Sequence, residues 1–205
     1  MYFRITGILL ISILCFKCGP PRTALQQEAR AYQKGKLKED TSFVYQLPYE
    51  HGTKHRVIQG YYSKYTHKYR AALDFKMKVG TPICAARDGI VMRTKNDSNK
   101  GGFKKKYRPD ANFVVIDHAD SIRTSYRHLQ FNCVTVQAGD TVHQGQIIGR
   151  SGKTGYTFTP HLHFIVTKYI DGQWQGIPSR FETKSFKGYL TPLRRYESIN
   201  NPPGK

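Results

Sequence analysis

The sequence predicts an all-β domain, a compact antiparallel β-sheet or sandwich folded around an open groove. Three observations carry that expectation. Short apolar runs of strand length recur through the middle of the chain, each bounded by Gly, Pro, Asp or Asn. Residues 112–117 and 122–129 are strongly β-forming. No segment of helical length in this region shows a 3.6-residue apolar period. Antiparallel strands joined by tight turns bury one such set of faces by folding the sheet on itself.

The elements follow in chain order. Arg4 precedes an apolar run, Ile5 to Phe16, of signal-peptide length and short for a membrane span. Residues 1–18 are therefore read as an export signal. Cys15 and Cys18 stand where a lipoprotein signal places its lipid-bearing cysteine, but Leu14 and Lys17 precede them instead of a small residue. Residues 19–45 are polar and mixed and read as a linker with some helical character. Residues 46–180 form the folded domain, and 181–205 a basic C-terminal tail ending in Asn-Pro-Pro-Gly-Lys. Within the domain, strands are expected at Ile83–Ala85, Ile90–Met92, Asn112–Asp117, Ile122–Leu129, Val134–Val136, Gln146–Gly149 and His161–Lys168. Asp88-Gly89, Gly139-Asp140 and Ser151-Gly152 supply turns, and a basic, glycine-containing loop spans Asn96 to Asp110.

Composition narrows the partners. The chain of 205 residues has a formal charge of +19 and 13% aromatic residues, which suits one ordered domain. Loss of residues 1–18 removes Arg4 and Lys17 and no acid, so the positive excess persists. Such a surface favours a polyanion, whether cell-wall polymer, anionic lipid or nucleic acid, with Lys104-Lys105-Lys106 a candidate contact for wall polymer. Nucleic acid is not expected, because no helix-turn-helix, zinc-finger spacing or aromatic-basic recognition motif accompanies the charge. Cys84 and Cys133 sit in apolar stretches and read as two buried free thiols, though pairing in an oxidising compartment would be compatible with them.

Hydrolytic metal chemistry needs three ligands, an open position and a neighbouring proton carrier. His161-Leu162-His163 begins an apolar strand, so alternation puts both imidazoles on one face about 7 Å apart at the backbone. A polar strand face gives the same pattern. Asp74 lies within the apolar Ala71–Phe75, where an unpaired carboxylate is costly and a metal or a basic partner would relieve it. His67 lies seven residues earlier in a basic, Tyr-containing loop. His128 ends a further strand. No helical His-Glu-x-x-His pattern is present.

Taken together, several motifs are specific. Asn112-Phe-Val-Val-Ile-Asp-His118, Tyr126-x-His128-Leu129 and Val136-x-x-Gly139-Asp140 through Ile148-Gly149 occur in order. Ser151-Gly152-x-Thr154-Gly155 and Pro160-His161-Leu162-His163-Phe164 follow. The set resembles the lysostaphin-type (LytM-like) peptidoglycan endopeptidase domain over roughly residues 46–168. The resemblance implies zinc held by Asp74 and His163, with His128 and His161 as the catalytic pair. Arg70 stands where the commonest family pattern, His-x-x-x-Asp, has its third ligand, and a guanidinium has no lone pair to offer. Gln59-Gly60-Tyr61 with Thr66-His67 resembles a branch with a longer gap, which makes His67 the expected third ligand. Asn112 and Tyr61 are expected to contact substrate, and His118 to hydrogen-bond structurally. The implied activity is cleavage of peptide stems or cross-links of peptidoglycan by an exported protein of the periplasm or cell envelope. The alternative is a non-catalytic relative that binds wall or activates amidases.

Overall fold

In the computed structural model, residues 23–38 and 43–201 are described; the export signal expected at 1–18 lies outside them. One nine-stranded sheet dominates. Its order runs Arg195–Glu197, Lys54–Gln59, Ala72–Lys76, His161–Ile170, Ile122–Leu129, Asn112–His118, Gly89–Lys95, Thr141–Val142, with Gln173–Gly176 pairing beside His161–Ile170. Every pairing in this sheet is antiparallel. Its central strands are buried on both faces over much of their length, so they carry near-continuous apolar runs where a half-solvated strand would alternate. Tyr126, Phe75, Phe164, Leu73, Ile116 and Leu162 form the middle of the core.

Three small sheets close the rest. Ile147–Arg150 pairs antiparallel with Pro82–Cys84. Gly101–Gly102 pairs parallel with Gly155–Tyr156, drawing the basic loop against the segment that precedes His161. That approach requires glycine. A Cβ on Gly101 would collide with the Lys153 carbonyl, and Gly155 has a φ of +80° with Ala111 Cβ 2.5 Å from its missing side chain. Within the same loop, Lys105–Asp110 forms a 3-10 helix.

The expected strand at Val134–Val136 does not form. The Asn96 side-chain oxygen accepts from the amides of Cys133 and Val134, which occupies the donors a ladder would use. Cys84 is buried as expected, whereas Cys133 is only half-buried, and both thiols are free.

The N-terminal flank has the helical character expected of it, whereas the C-terminal flank differs from expectation. Within the linker region, Ala24–Gln33 is an α-helix opened by a capping box between Thr23 and Gln26. It docks on the domain through Ala29 and through Tyr32, whose ring lies 5.2 Å from that of Tyr189. Val44–Gln46 then pairs with Arg180–Thr183. Residues 181–201, expected as tail, supply strands Phe186–Tyr189 and Arg195–Glu197 and the rest of Arg180–Thr183. The cause is apolar: Phe181, Tyr189, Leu190 and Tyr196 are buried, and Phe181 packs on Phe164 at 5.8 Å between ring centroids. Asn200 is tied to Leu47 by its side chain.

Truncating Phe181 tests this. Phe181→Ala should cost about 3–5 kcal/mol of unfolding free energy by urea denaturation; a loss below about 1 kcal/mol would mean that the C-terminal strands are not packed on the core.

Candidate metal centre

Sheet register assembles the site. Asp74 lies opposite His163 on one side and opposite Gln59 on the other, so the three side chains share one row and one face. His161 follows the same face two residues before His163. The loop between Gln59 and Ala72 carries His67 back over this row. It is closed by Tyr62 N–H to the Arg70 carbonyl and Arg70 N–H to the His67 carbonyl. His67 Nδ1 donates to the Gly60 carbonyl at 3.1 Å, which leaves Nε2 with its lone pair facing inward.

The result is a tight triangle. His67 Nε2 lies 3.2 Å from His163 Nδ1 and 3.3 Å from Asp74 Oδ1, and the last two atoms are 2.8 Å apart. A tetrahedral ion with bonds of about 2.0–2.1 Å holds its ligands about 3.3 Å apart, so the triangle has nearly the right span. All three residues are buried. Among the described residues, no Lys or Arg pairs with Asp74; its ion-pair partners are His67, His161 and His163. Burial alone raises the Asp74 carboxyl pKa, but its imidazole neighbours, His163 first and then His67, outweigh it and hold the group well below the usual carboxylate range. Burial pushes His163 down, against the pull of Asp74. A carboxylate and two imidazoles converging on one point, with no ammonium or guanidinium among them, form a donor set suited to a divalent cation. Arg70 is exposed and takes no part in the triangle.

Two more histidines border it. His161 Nδ1 donates to the Thr159 carbonyl at 2.7 Å, and its Nε2 is 3.7 Å from Asp74 Oδ2. His128 arrives differently. Asn112 pairs with Leu129 and Phe113 with Arg127, so His128 is the extra residue of a β-bulge and adopts φ of +66°. The bulge re-aims a ring that regular alternation would send to the opposite face from His163. His128 Nδ1 donates to the Thr154 carbonyl at 2.7 Å, and the ring centroid sits 4.8 Å from that of His161. Both imidazoles are thus anchored through Nδ1 and keep Nε2 available. Burial, then the charges of His161 and His163, depress the His128 pKa to about 3.

Two expected substrate contacts are corrected. Asn112 is fully buried, and its amide is consumed by the Ser98 backbone, accepting from the amide and donating to the carbonyl. Tyr61 is turned into the core, where its hydroxyl donates to the Ser179 carbonyl. His118 bonds the Asp88 carbonyl and Thr124 Oγ1, the structural role expected of it. Three supporting residues carried no expectation of a role. Thr154 Oγ1 accepts from the Asn112 amide and donates to the Leu129 carbonyl while its own carbonyl holds His128. Thr157 Oγ1 lies 3.1 Å from His161 Nδ1. Gln59 reaches Asp74.

An antiparallel sheet bearing a buried His/Asp/His triangle and two anchored histidines defines a class, and the sequence comparison names it. Residues 68–175 match Peptidase family M23, and the chain belongs to that family. The match begins one residue after His67. Among relatives, peptidoglycan DD-endopeptidase ShyA of Vibrio cholerae serotype O1 is 40% identical over 91 residues, 44% of this chain and 18% of ShyA. Glycyl-glycine endopeptidase ALE-1 of Staphylococcus capitis is 43% identical over 94 residues, 45% of this chain and 23% of ALE-1. The chain spans less than a quarter of the length of either. Among solved structures, the catalytic domain of lysostaphin from Staphylococcus simulans aligns with a TM-score of 0.44 and 29% identity, over 60% of this chain and 87% of that domain.

The depressed His128 pKa has a sign. In the metal-free protein the unfolded chain takes up the His128 proton near its ordinary value of 6.5, the folded one only near 3. His128 therefore stabilises the fold fully above pH 6.5 and progressively less as pH falls towards 3. The melting temperature of metal-free protein should fall between pH 7 and 4, and His128→Ala should flatten that slope; an unchanged slope would refute the burial of a neutral ring.

Proposed function

We propose that this chain is an exported zinc metalloendopeptidase that cuts peptide stems or cross-links of bacterial peptidoglycan. The observation that carries the reading is the convergence of His67, Asp74 and His163, with the Nδ1-anchored His128 and His161 beside them. The donor set suits zinc, which when bound supplies Lewis acidity, lowering the pKa of a water and polarising a carbonyl. The protein's own groups supply the rest. His67 and His163 are oriented by the Gly60 carbonyl and by sheet register. His161 and His128 offer Nε2 to accept the proton of the attacking water, to hold the developing oxyanion by hydrogen bonding, and to return a proton to the departing amine. Burial keeps the His128 ring neutral well below its ordinary range, the right state to begin as an acceptor. Export rests on the apolar run at residues 5–16. The basic surface is proposed to hold the enzyme on an anionic wall polymer, so wall binding should weaken with added salt.

Zinc content and muropeptide release test the proposal. The purified protein should carry close to one zinc, and His67→Ala should lose most of it. His128→Ala should keep its zinc and lose about 10²–10⁴-fold in peptidoglycan cleavage. Wild-type protein without zinc would overturn the catalytic reading in favour of a wall-binding or amidase-activating module. A His67→Ala variant that retains metal and activity would remove His67 from the ligand set.

A further inference from the structure

A second bulge lies beside the metal centre. Val57 pairs with Phe75 and Gln59 with Asp74, so Ile58 is the extra residue. Regular pairing would set Ile58 opposite Asp74 and point the Gln59 side chain to the other face of the sheet. The bulge instead delivers a carboxamide to a buried carboxylate. Gln59 Nε2 donates to Asp74 Oδ2 at 2.8 Å and to Thr66 Oγ1 at 2.6 Å. Its Oε1 accepts from the Thr66 amide at 3.2 Å. The amide orientation is dictated by its partners, since a carboxylate only accepts and a backbone N–H only donates. Both donor hydrogens and one acceptor site are thereby used.

We propose that Gln59 is the positioning residue of the metal centre, orienting Asp74 and locking the loop that brings His67 to it. The proposal rests on the metal-site reading above. Asp74 has two oxygens with different tasks. Oδ1 lies in the ligand triangle, and Oδ2 is held by Gln59. Fixing Oδ2 fixes the rotation of the carboxylate and so the direction of the Oδ1 lone pairs. The same amide grips Thr66, the residue immediately before His67, while the carbonyl of the residue immediately after Gln59 holds His67 Nδ1. Residues 59 and 60 thus address two of the three ligands.

The spacing explains why this chain needs such a device. A ligand four residues from Asp74 would be placed by a short turn. His67 is seven residues away, on a loop whose neighbours Tyr65 and Tyr69 are among the exposed residues. A longer loop has more conformations to lose on delivering its imidazole, and the Gln59–Thr66 pair of hydrogen bonds removes many of them before any ion arrives. Partners of this kind, which orient a ligand without touching the metal, typically govern 10–100-fold in metal affinity.

The experiment compares wild type, Gln59→Leu and Thr66→Val by zinc affinity in chelator competition, with the melting temperature of each metal-free protein measured alongside. Gln59→Leu should weaken zinc binding about 10–100-fold while the metal-free protein still melts cooperatively. Thr66→Val, which keeps its backbone amide for Oε1, should weaken it less. Amide exchange at Thr66 in the metal-free protein should accelerate in Gln59→Leu. Wild-type zinc binding with a Gln59→Leu affinity within about twofold of it would overturn the positioning role and leave the metal centre standing. A wild type that binds no zinc would overturn the metal centre, and the positioning role would fall with it.

Discussion

A carboxylate in the middle of an apolar sheet is the constraint around which this protein is arranged. Asp74 sits between Leu73 and Phe75, both buried, on a strand flanked by neighbours on either side. An ionised group there is tolerated only when its charge is answered locally, because desolvation otherwise drives the carboxyl towards its neutral form. The answer comes from imidazoles and one carboxamide, not from lysine or arginine, although the chain is rich in both. A guanidinium against Asp74 would satisfy the charge and leave nothing for an ion to do. Imidazoles and a carboxamide answer the charge without a lysine or arginine, and such a donor set suits a divalent cation.

Precision at the centre depends on irregularity elsewhere. A strictly regular sheet would place Asp74 and His163 together but send Gln59 and His128 to the wrong face. Each is corrected by one extra residue, Ile58 in one strand and His128 itself in another. The His128 bulge is paid in backbone strain, since a non-glycine residue is held at φ of +66°. Hydrogen bonds from Thr154 across to Asn112 and Leu129 hold the surrounding loops so that the strained residue stays put. The Gly101–Gly155 approach has the same logic, drawing the loop ahead of His161 close enough for the Thr157 and Thr159 contacts.

Much of the fold and the centre was legible in the residues. The strand Ile122–Leu129 has the bounds its β-forming run suggests, and Asn112–His118 and His161–Ile170 extend theirs by one or two residues. His67, Asp74, His128, His161 and His163 come together. Val134–Val136 misled because its alternation is real while its backbone donors are taken by Asn96. The C-terminal segment misled because its charge masks Phe181, Tyr189 and Tyr196, whose burial depends on partners more than a hundred residues away, among them Tyr45 and Tyr49. Asn112 and Tyr61 misled because a polar residue near a motif looks the same whether its polar atoms face substrate or the backbone of a neighbouring loop.

The sequence by itself determined the chemistry and the sheet: which side chains can donate lone pairs, and which runs alternate or stay apolar, are properties of residues and their near neighbours. Tertiary structure alone decided where those lone pairs point. Whether His67 or Arg70 reaches Asp74 is set by loop closure between Gln59 and Ala72, and whether His128 faces His163 is set by a register shift against Asn112. Both are contacts between strands, in which one residue more or less reverses the face a side chain takes, and no local pattern records that count.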